Sequence, residues 1–312
     1  ISFAQLCAQL LAGEAPEARI IPGIQAKLDD IVPPYGEYTE EDIRQRHLYV
    51  EASRGCPFKC EFCLSALDKT AWPFALENFL ADLEMLWQKG ARQFKFVDRT
   101  FNLKIETSLR IMDFFLGKIA ENPEDPPFAH FELIPDHLPE KLKDAILRFP
   151  AGTLQFEIGI QTFNPVVQTR ISRKQKNELA RANILWLAEH SGAHLHVDLI
   201  AGLPGEDTVS FAEGFDKLVA LKPHEIQFGI LKRLRGAPIA RHSDDFQLRF
   251  NPAPPYNILS TDRISFAEMQ ELSRFSRYWD MLANSGRYTR SMELVLGTSP
   301  FNNFNTLSRW LY

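Results

Sequence analysis

Short apolar segments alternate with longer amphipathic segments along the middle of this chain. The apolar segments predict six β-strands, at residues 48–53, 93–97, 128–134, 154–160, 194–200 and 225–231. The amphipathic segments between them predict α-helices at residues 74–89, 105–121, 140–149, 175–190 and 209–221. Such alternation is typical of a parallel sheet, and six units are too few for a closed eightfold barrel. The pattern therefore predicts an α/β fold, a partial (β/α)6 TIM-like barrel at residues 46–240.

Two flanking segments depart from this alternation. Residues 1–45 begin with helical periodicity and continue with prolines that interrupt regular structure, which predicts an N-terminal connector. Residues 241–312 begin with a proline-rich stretch and predict a helical C-terminal extension, with one helix at 265–285. Four aromatic residues of that helix are expected to pack on the barrel: Phe266, Phe275, Tyr278 and Trp279. Because the chain opens with isoleucine in a helical pattern, we expect a domain upstream of it.

One face of the predicted barrel strands is unusually polar. On the fourth strand Glu157 and Gln161 share a face with Gly159, and on the fifth strand His196 shares a face with Asp198. The interior of an ordinary barrel is mostly Val, Ile and Leu, so a polar interior predicts a bound polar molecule. We expect Glu157 and His196 to face a substrate. Structural alternatives stay open for single residues: a hydrogen-bonded core histidine at position 194, and a loop cap at Asp98.

Three closely spaced cysteines follow the first predicted strand. Cys56, Cys60 and Cys63 have the spacing C-x3-C-x2-C, and three thiolates on one loop can hold three irons of a 4Fe–4S cluster. The fourth iron is then open to a ligand that is not a cysteine. A structural zinc site is one alternative, but it usually takes four ligands in two spaced pairs. A disulfide framework is another, which a chain of this length does not need. Cys7 is expected to be a small apolar core residue.

The cysteine loop, with Phe62 before the third cysteine, resembles the signature of the radical SAM superfamily, in which S-adenosylmethionine (SAM) binds the open iron. The runs Glu157-Ile-Gly-Ile-Gln-Thr-Phe-Asn164, Ile171-Ser-Arg173 and Asp198-Leu-Ile-Ala-Gly-Leu-Pro-Gly205 resemble the group that includes the oxygen-independent coproporphyrinogen oxidases. This resemblance implies that four residues bind the amino group, ribose and carboxylate of SAM: Glu132, Gln161, Arg173 and Asp198. Phe62 and Asp98 are further candidates for contact with the cofactors.

A second resemblance concerns the cobalamin-binding branch of the same superfamily. It rests on Asp98-Arg-Thr-Phe-Asn102, which stands where a Gly-rich motif is usual, and on Ile21-Pro-Gly-Ile24. The tail segments Asn284-Ser-Gly-Arg-Tyr288 and Pro300-Phe-Asn-Asn-Phe304 resemble a C-terminal domain of unknown function. The branch implies a 4Fe–4S cluster, SAM and, through an upstream domain absent from this chain, cobalamin.

Together these patterns predict a radical SAM enzyme that cleaves SAM reductively and modifies an unknown substrate. A transferase is expected, with methyl transfer as the first candidate. Aminocarboxypropyl transfer and deoxyadenosyl-radical chemistry without cobalamin are alternatives within the enzyme class. A non-catalytic Fe–S electron carrier and a zinc-stabilised scaffold are alternatives outside it.

Composition restricts the partners. The net charge of −5 disfavours broad nucleic-acid binding. No apolar run approaches the roughly 20 residues of a membrane span, so no membrane is expected. Four cysteines with a thiolate-cluster motif fit a reducing cytoplasm. The expected partners are an electron donor such as flavodoxin or ferredoxin and a small-molecule substrate.

Overall fold

The computed structural model describes residues 2–24, 26–67 and 71–312. Positions 1 and 25 of the predicted connector, and positions 68–70 of the predicted barrel, lie outside the described residues.

The six predicted strands form one parallel sheet, in which strands that are consecutive in this set are neighbours. They are β1 (Leu48–Val50), β2 (Gln93–Phe96), β3 (Phe128–Leu133), β4 (Leu154–Gln161), β5 (His194–Ala201) and β6 (Glu225–Ile230). Among the described residues the end strands β1 and β6 do not pair with each other, so the sheet is open. The predicted α/β fold with a six-stranded, TIM-like sheet is confirmed.

Helices cover the outside of the sheet and form both ends of the chain. They are α1 (Phe3–Leu11), α2 (Glu40–Gln45), α3 (Leu76–Gln88), α4 (Ile105–Glu121), α5 (Glu140–Ile146), α6 (Pro165–Arg170), α7 (Asn177–His190), α8 (Thr208–Val219), α9 (Phe266–Trp279), α10 (Thr289–Leu296) and α11 (Pro300–Leu311). Helix α6 was not predicted, because six residues are too few to show a period. No helix in the described ranges is long and apolar enough to cross a membrane.

Strand β1 ends earlier than predicted. The chain leaves the sheet after Val50, and Ser53–Arg54 pairs antiparallel with Trp72–Pro73. A two-stranded ribbon therefore holds the base of the cysteine segment outside the sheet.

The outward faces of the strands pack on the helices through aromatic residues. Phe131 of β3 lies 4.5 Å from Phe96 of β2 and stacks at 3.8 Å on Phe101, measured between ring centroids. Phe115 of α4 closes the cluster edge-on against Phe96. Burial of each such ring stabilises the folded state by roughly several kcal/mol, so this cluster anchors α4 to the sheet.

The C-terminal extension packs on the end of the barrel, as its aromatic residues predict. Phe275 and Trp279 of α9 lie 5.2 and 4.8 Å from Phe215 of α8, and both contact Phe304 of α11. Phe266 differs from the prediction, since it is 56% exposed in the first turn of α9.

Cys7 is not the core residue that the sequence predicts. Helix α1 buries none of its side chains, and Cys7 is only partly covered. The periodicity of this segment is correct, but the described chain supplies no surface against which its apolar face packs.

Asn284 completes the exposed edge of the sheet. Its Oδ1 accepts a hydrogen bond from the backbone N–H of Ile226 at 3.1 Å, and its Nδ2 donates to the carbonyl of the same residue at 3.1 Å. Ser276 of α9 donates to the carbonyl of Phe228 at 2.6 Å. Side chains of the C-terminal extension therefore substitute for a seventh strand, because unpaired backbone groups at an edge must otherwise find other partners.

We expect Asn284→Ala to lower the free energy of unfolding by about 1–3 kcal/mol, since it leaves two backbone groups of an edge strand without partners. Urea denaturation of the apo-protein, followed by circular dichroism, measures the change. Asn302→Ala is the matched control, because this exposed asparagine bonds only Ser299 and its loss should cost less than about 0.5 kcal/mol. Equal stability of the two variants would contradict the role of Asn284.

Candidate functional site

The three cysteines lie on the loop between β1 and α3, and none of their thiols is bridged. Burial raises the pKa of the Cys56 thiol and that of the Cys60 thiol. Arg173 acts against this at Cys60, where its Nη1 lies 3.6 Å from the sulfur. The guanidinium therefore favours the thiolate form that binds metal.

The cysteine loop forms one wall of a cleft at the carboxyl ends of the strands. Most of the predicted site residues line this cleft: Cys56, Cys60, Phe62, Cys63, Glu132, Glu157, Gln161, Arg173 and Asp198. In parallel α/β sheets ligands bind at this edge, so the residues are gathered where a ligand is expected. Asp98 and His196 are the two predicted residues that do not line the cleft.

The strand register arranges the polar side chains of the barrel interior in layers. Glu132, Glu157, His196 and Glu225 stand side by side on four neighbouring strands. Nearer the cleft, the next interior layer contains Gly159, Asp198 and Gln227. Deeper in the barrel lie Lys95, His130, Gln155 and His194. The interior is therefore as polar as the alternation predicts, with carboxylates above a mainly basic layer.

Glu157 is held as a carboxylate. Its Oε2 lies 3.3 Å from His130 Nε2 and 3.6 Å from Lys95 Nζ. The contact with His130 and the charge of Lys95 outweigh burial and lower the pKa of Glu157 to about 2. The side chain thus presents a fixed negative charge at the floor of the cleft.

His196 is held as a cation beneath the cleft. Its Nε2 donates to Gln227 at 3.1 Å and lies 3.2 Å from Asp198 Oδ1, and its Nδ1 lies 3.1 Å from Glu225 Oε2. Burial lowers the pKa of His196, but the two carboxylates outweigh burial and raise the pKa to about 10. The prediction that His196 faces a substrate therefore differs from the structure, which places its ring against Asp198.

Asp98 also differs from its predicted place. Its carboxylate accepts hydrogen bonds from the backbone N–H of Ala52 at 2.9 Å and from Ser53 Oγ at 2.6 Å. The residue is 2% exposed, and burial raises the pKa of its carboxyl to about 6. Asp98 therefore caps the start of the cysteine loop, the alternative that the sequence left open, and its contact with a cofactor stays a prediction.

Gln161 reaches the cleft through an irregularity in β4. The register between β4 and β5 shifts between Gly159 and Gln161, and Gln161 has φ 68°, in the left-handed region. Such a conformation is strained for a residue other than glycine and is concentrated at functional sites. A Cβ on Gly159 would stand 2.4 Å from Gln161 Nε2, so any side chain at position 159 would displace the Gln161 amide from its place in the cleft.

The sequence matches two family models. Residues 50–218, just over half of the chain, match the radical SAM superfamily. The chain belongs to the radical SAM superfamily. Residues 244–312 match a protein family of unknown function, DUF4080, which confirms the predicted C-terminal domain of unknown function.

Similar proteins include enzymes of several kinds. The oxygen-independent coproporphyrinogen III oxidase of Paracoccus denitrificans is 33% identical over 95 residues, which are 30% of this chain and 21% of that protein. Two solved structures share the fold. The radical SAM methyltransferase TsrM of Kitasatospora setae, with cobalamin and a [4Fe-4S] cluster bound, has a TM-score of 0.60 at 15% identity, over 88% of this chain and 62% of that chain. The cobalamin-dependent radical enzyme OxsB has a TM-score of 0.54 at 15% identity, over 85% of this chain and 46% of that chain.

Radical SAM proteins use a 4Fe–4S cluster and SAM, and the cleft of this chain fits both. No three His, Cys, Asp or Glu side chains among the described residues are close enough to share one metal ion. A cluster does not need such convergence, because each thiolate binds a separate iron. One buried oxygen in the cleft, Gln161 Oε1, has no hydrogen-bond partner among the described residues, and Asp198 Oδ1 lies 3.2 Å from His196 Nε2, which also donates to Gln227. An orphaned buried acceptor is uncommon, and the Gln161 oxygen suits a hydroxyl or ammonium donor of SAM.

Sequence reasoning did not single out several residues of this site. Lys95 and His130 occupy interior positions on β2 and β3, and applying the same alternation to those strands identifies them. Arg99 pairs with Glu132 at 2.8 Å, while burial raises the pKa of Glu132 to about 7. Glu61 has no sequence signal, because its partners are far away in the chain.

Proposed function

We propose that this chain is a radical SAM enzyme that holds a 4Fe–4S cluster through Cys56, Cys60 and Cys63. The observation that carries the proposal is that one cleft joins these thiols with an unpaired buried acceptor, Gln161 Oε1, and with the carboxylate of Asp198. The cluster supplies an electron for cleaving SAM, and SAM supplies the group or radical that modifies the substrate. An electron carrier needs no such acceptors, which weighs against that alternative.

Different residues of the cleft bind different chemical groups of SAM. Arg173 presents a planar fork of donors, which suits the SAM carboxylate, and Gln175 Oε1 fixes the guanidinium at 2.9–3.0 Å. Gln161, Asp198 and Glu132 supply acceptors for the ribose hydroxyls and the amino group. Phe62 lines the cysteine side of the cleft and would place an apolar surface beside a bound cofactor. Water is thereby restricted around the reacting atoms.

Glu157 is the residue of the cleft that we assign to substrate binding. It lines the cleft at a position between Glu132 and the His196 pair, and its charge is fixed by Lys95 and His130. A fixed carboxylate orients a substrate that offers N–H or O–H donors. His196 acts indirectly, by holding Asp198 in place.

The reaction that we propose first is methyl transfer, with cobalamin supplied by a further domain. The support is similarity of fold to TsrM, a methyltransferase with cobalamin bound, and to OxsB, a cobalamin-dependent enzyme. We propose as partners a small electron-transfer protein such as flavodoxin or ferredoxin and a small-molecule substrate, in the cytoplasm. Exposed Lys59 and Lys174 beside the cluster loop suit an acidic electron donor.

Replacing any of the three loop cysteines by alanine should abolish the cluster, because each thiolate holds an iron. Anaerobic reconstitution with iron and sulfide should give about four irons per chain in the wild type, measured by iron and sulfide analysis. Cys7→Ala is the control and should keep the full content, since Cys7 lies on α1 away from the cleft. Full iron content in Cys60→Ala would refute the assignment.

Arg173→Ala should weaken SAM binding by about 10- to 100-fold, since a charge-assisted pair with the carboxylate is lost. Gln161→Ala should weaken it by only about fivefold, because a neutral hydrogen bond is worth about 1 kcal/mol. Anaerobic equilibrium dialysis with the cluster intact measures both affinities. Arg148→Ala is the control, because it removes an exposed arginine that pairs with Asp113 at 3.0 Å. This variant should bind SAM as the wild type does. Unchanged affinity in the first two variants would place SAM elsewhere.

The products of SAM distinguish the reaction types. With cobalamin, reductant and substrate, methyl transfer predicts S-adenosylhomocysteine and a methylated product, followed by chromatography and mass spectrometry. Methylthioadenosine as the main product would indicate aminocarboxypropyl transfer instead of methyl transfer. Methionine and 5′-deoxyadenosine without S-adenosylhomocysteine would indicate radical chemistry that does not move a methyl group. The Cys60→Ala variant gives the background for each product.

A further inference from the structure

Glu61 is a buried carboxylate inside the cysteine loop, between Cys60 and Phe62. It is 3% exposed. Its Oε1 accepts hydrogen bonds from Ser172 Oγ at 2.6 Å and from Arg241 Nη2, and its Oε2 accepts from His242 Nε2 at 2.8 Å. A buried carboxylate is stable only when it is paired in this way, so the contacts fix where Glu61 lies.

The backbone of Glu61 is held by the same two segments. Its N–H donates to the carbonyl of Ile171 at 3.0 Å, and its carbonyl accepts from the N–H of Ile239 at 2.9 Å. One residue of the cysteine loop is thus bonded through both main chain and side chain to the turn at 171–172 and to the short helix Pro238–His242.

The turn at 171–172 leads directly into Arg173. Ser172 has φ 56°, a strained left-handed conformation that needs support from its surroundings. The hydrogen bond from Ser172 Oγ to Glu61 supplies such support. Arg173 then places its Nη1 3.6 Å from Cys60 Sγ and donates through Nη2 to the carbonyl of Gly159. Glu61 therefore sets the position of the cysteine loop relative to the arginine of the cleft.

We propose that Glu61 is a positioning residue, and that the segment Pro238–His242 is an integral part of the cluster site because it completes the pairing of this carboxylate. The segment lies between the two matched family regions, 50–218 and 244–312. The inference rests on the proposed function in one respect, that the cysteine loop and Arg173 bind the cluster and SAM.

The first test uses the cluster-loaded chain. In Glu61→Gln the charge that pairs with Arg241 and His242 is lost, so SAM affinity should fall by about tenfold, and the change that SAM causes in the electron paramagnetic resonance signal of the reduced cluster should be reduced. Glu271→Gln is the matched control, because Glu271 pairs with Arg309 at 2.7 Å in the C-terminal extension away from the cleft. It should keep the wild-type affinity and signal. A wild-type signal and affinity in Glu61→Gln would overturn the proposal.

The second test needs no cluster. In Ser172→Ala and Arg241→Ala apo-proteins, the loop loses a restraint, so trypsin should cut after the exposed Lys59 about tenfold faster at a temperature well below the thermal unfolding of each variant. Arg309→Ala is the control and should be cut at the wild-type rate. Unchanged cutting in both variants would overturn the proposal. If the wild type bound no iron, the proposed function would fail, and the trypsin rates would still decide the role of Glu61.

Discussion

Carboxylates in the barrel interior require cations beside them, and this requirement arranges the rest of the site. Glu157 and Glu225 are partly buried, with 25% and 31% of their side chains exposed, so each depends on basic neighbours. Lys95 from β2 pairs with Glu157, whose Oε2 also lies 3.3 Å from His130 of β3, and the His196 cation of β5 pairs with Glu225. These pairs join neighbouring strands as well as neutralising charge. At the level of the cleft Gln161 Oε1 is left without a donor, while the Asp198 carboxylate pairs with His196. A ligand with hydroxyl or ammonium groups would supply the hydrogen-bond donor that is missing there.

An open sheet creates a second requirement, which the C-terminal extension meets. Six strands leave an edge at β6, and Asn284 and Ser276 occupy backbone groups of that edge. The segment Pro238–His242 supports the cysteine loop, where Arg241 and His242 pair with Glu61. The part of the chain beyond the sixth strand therefore stabilises both the barrel and the loop that carries the cysteines.

The sequence predicts the sheet well and the site in part, and the reason is the range of the interactions involved. Period-2 alternation is local, so the strands, their order and the polar interior follow from it. The positions of Glu157 and Asp198 follow for the same reason. Asp98 and His196 lie outside the cleft lining, because a strand-end position or a shared strand face does not give the depth or the partner of a residue. Gln161 was placed on the polar face by alternation and given a role by the motif, but the bulge that brings it to the cleft leaves no periodic signal. Helix α6 and the pairing of Glu61 leave no periodic signal.

Distance along the chain explains why the cysteine motif alone does not define the cluster site. Glu61 bonds Ser172 and Arg241, which are 111 and 180 positions away. Contacts between such distant residues form only after the intervening strands and helices have been brought together, because closing long loops costs entropy. The cysteine loop is therefore not an independent metal-binding peptide in this chain. Its shape is set by the completed barrel and by the segment that follows β6, so the cofactor site is a product of the whole fold. A motif of eight residues supplies the ligands, and the remainder of the chain supplies their geometry.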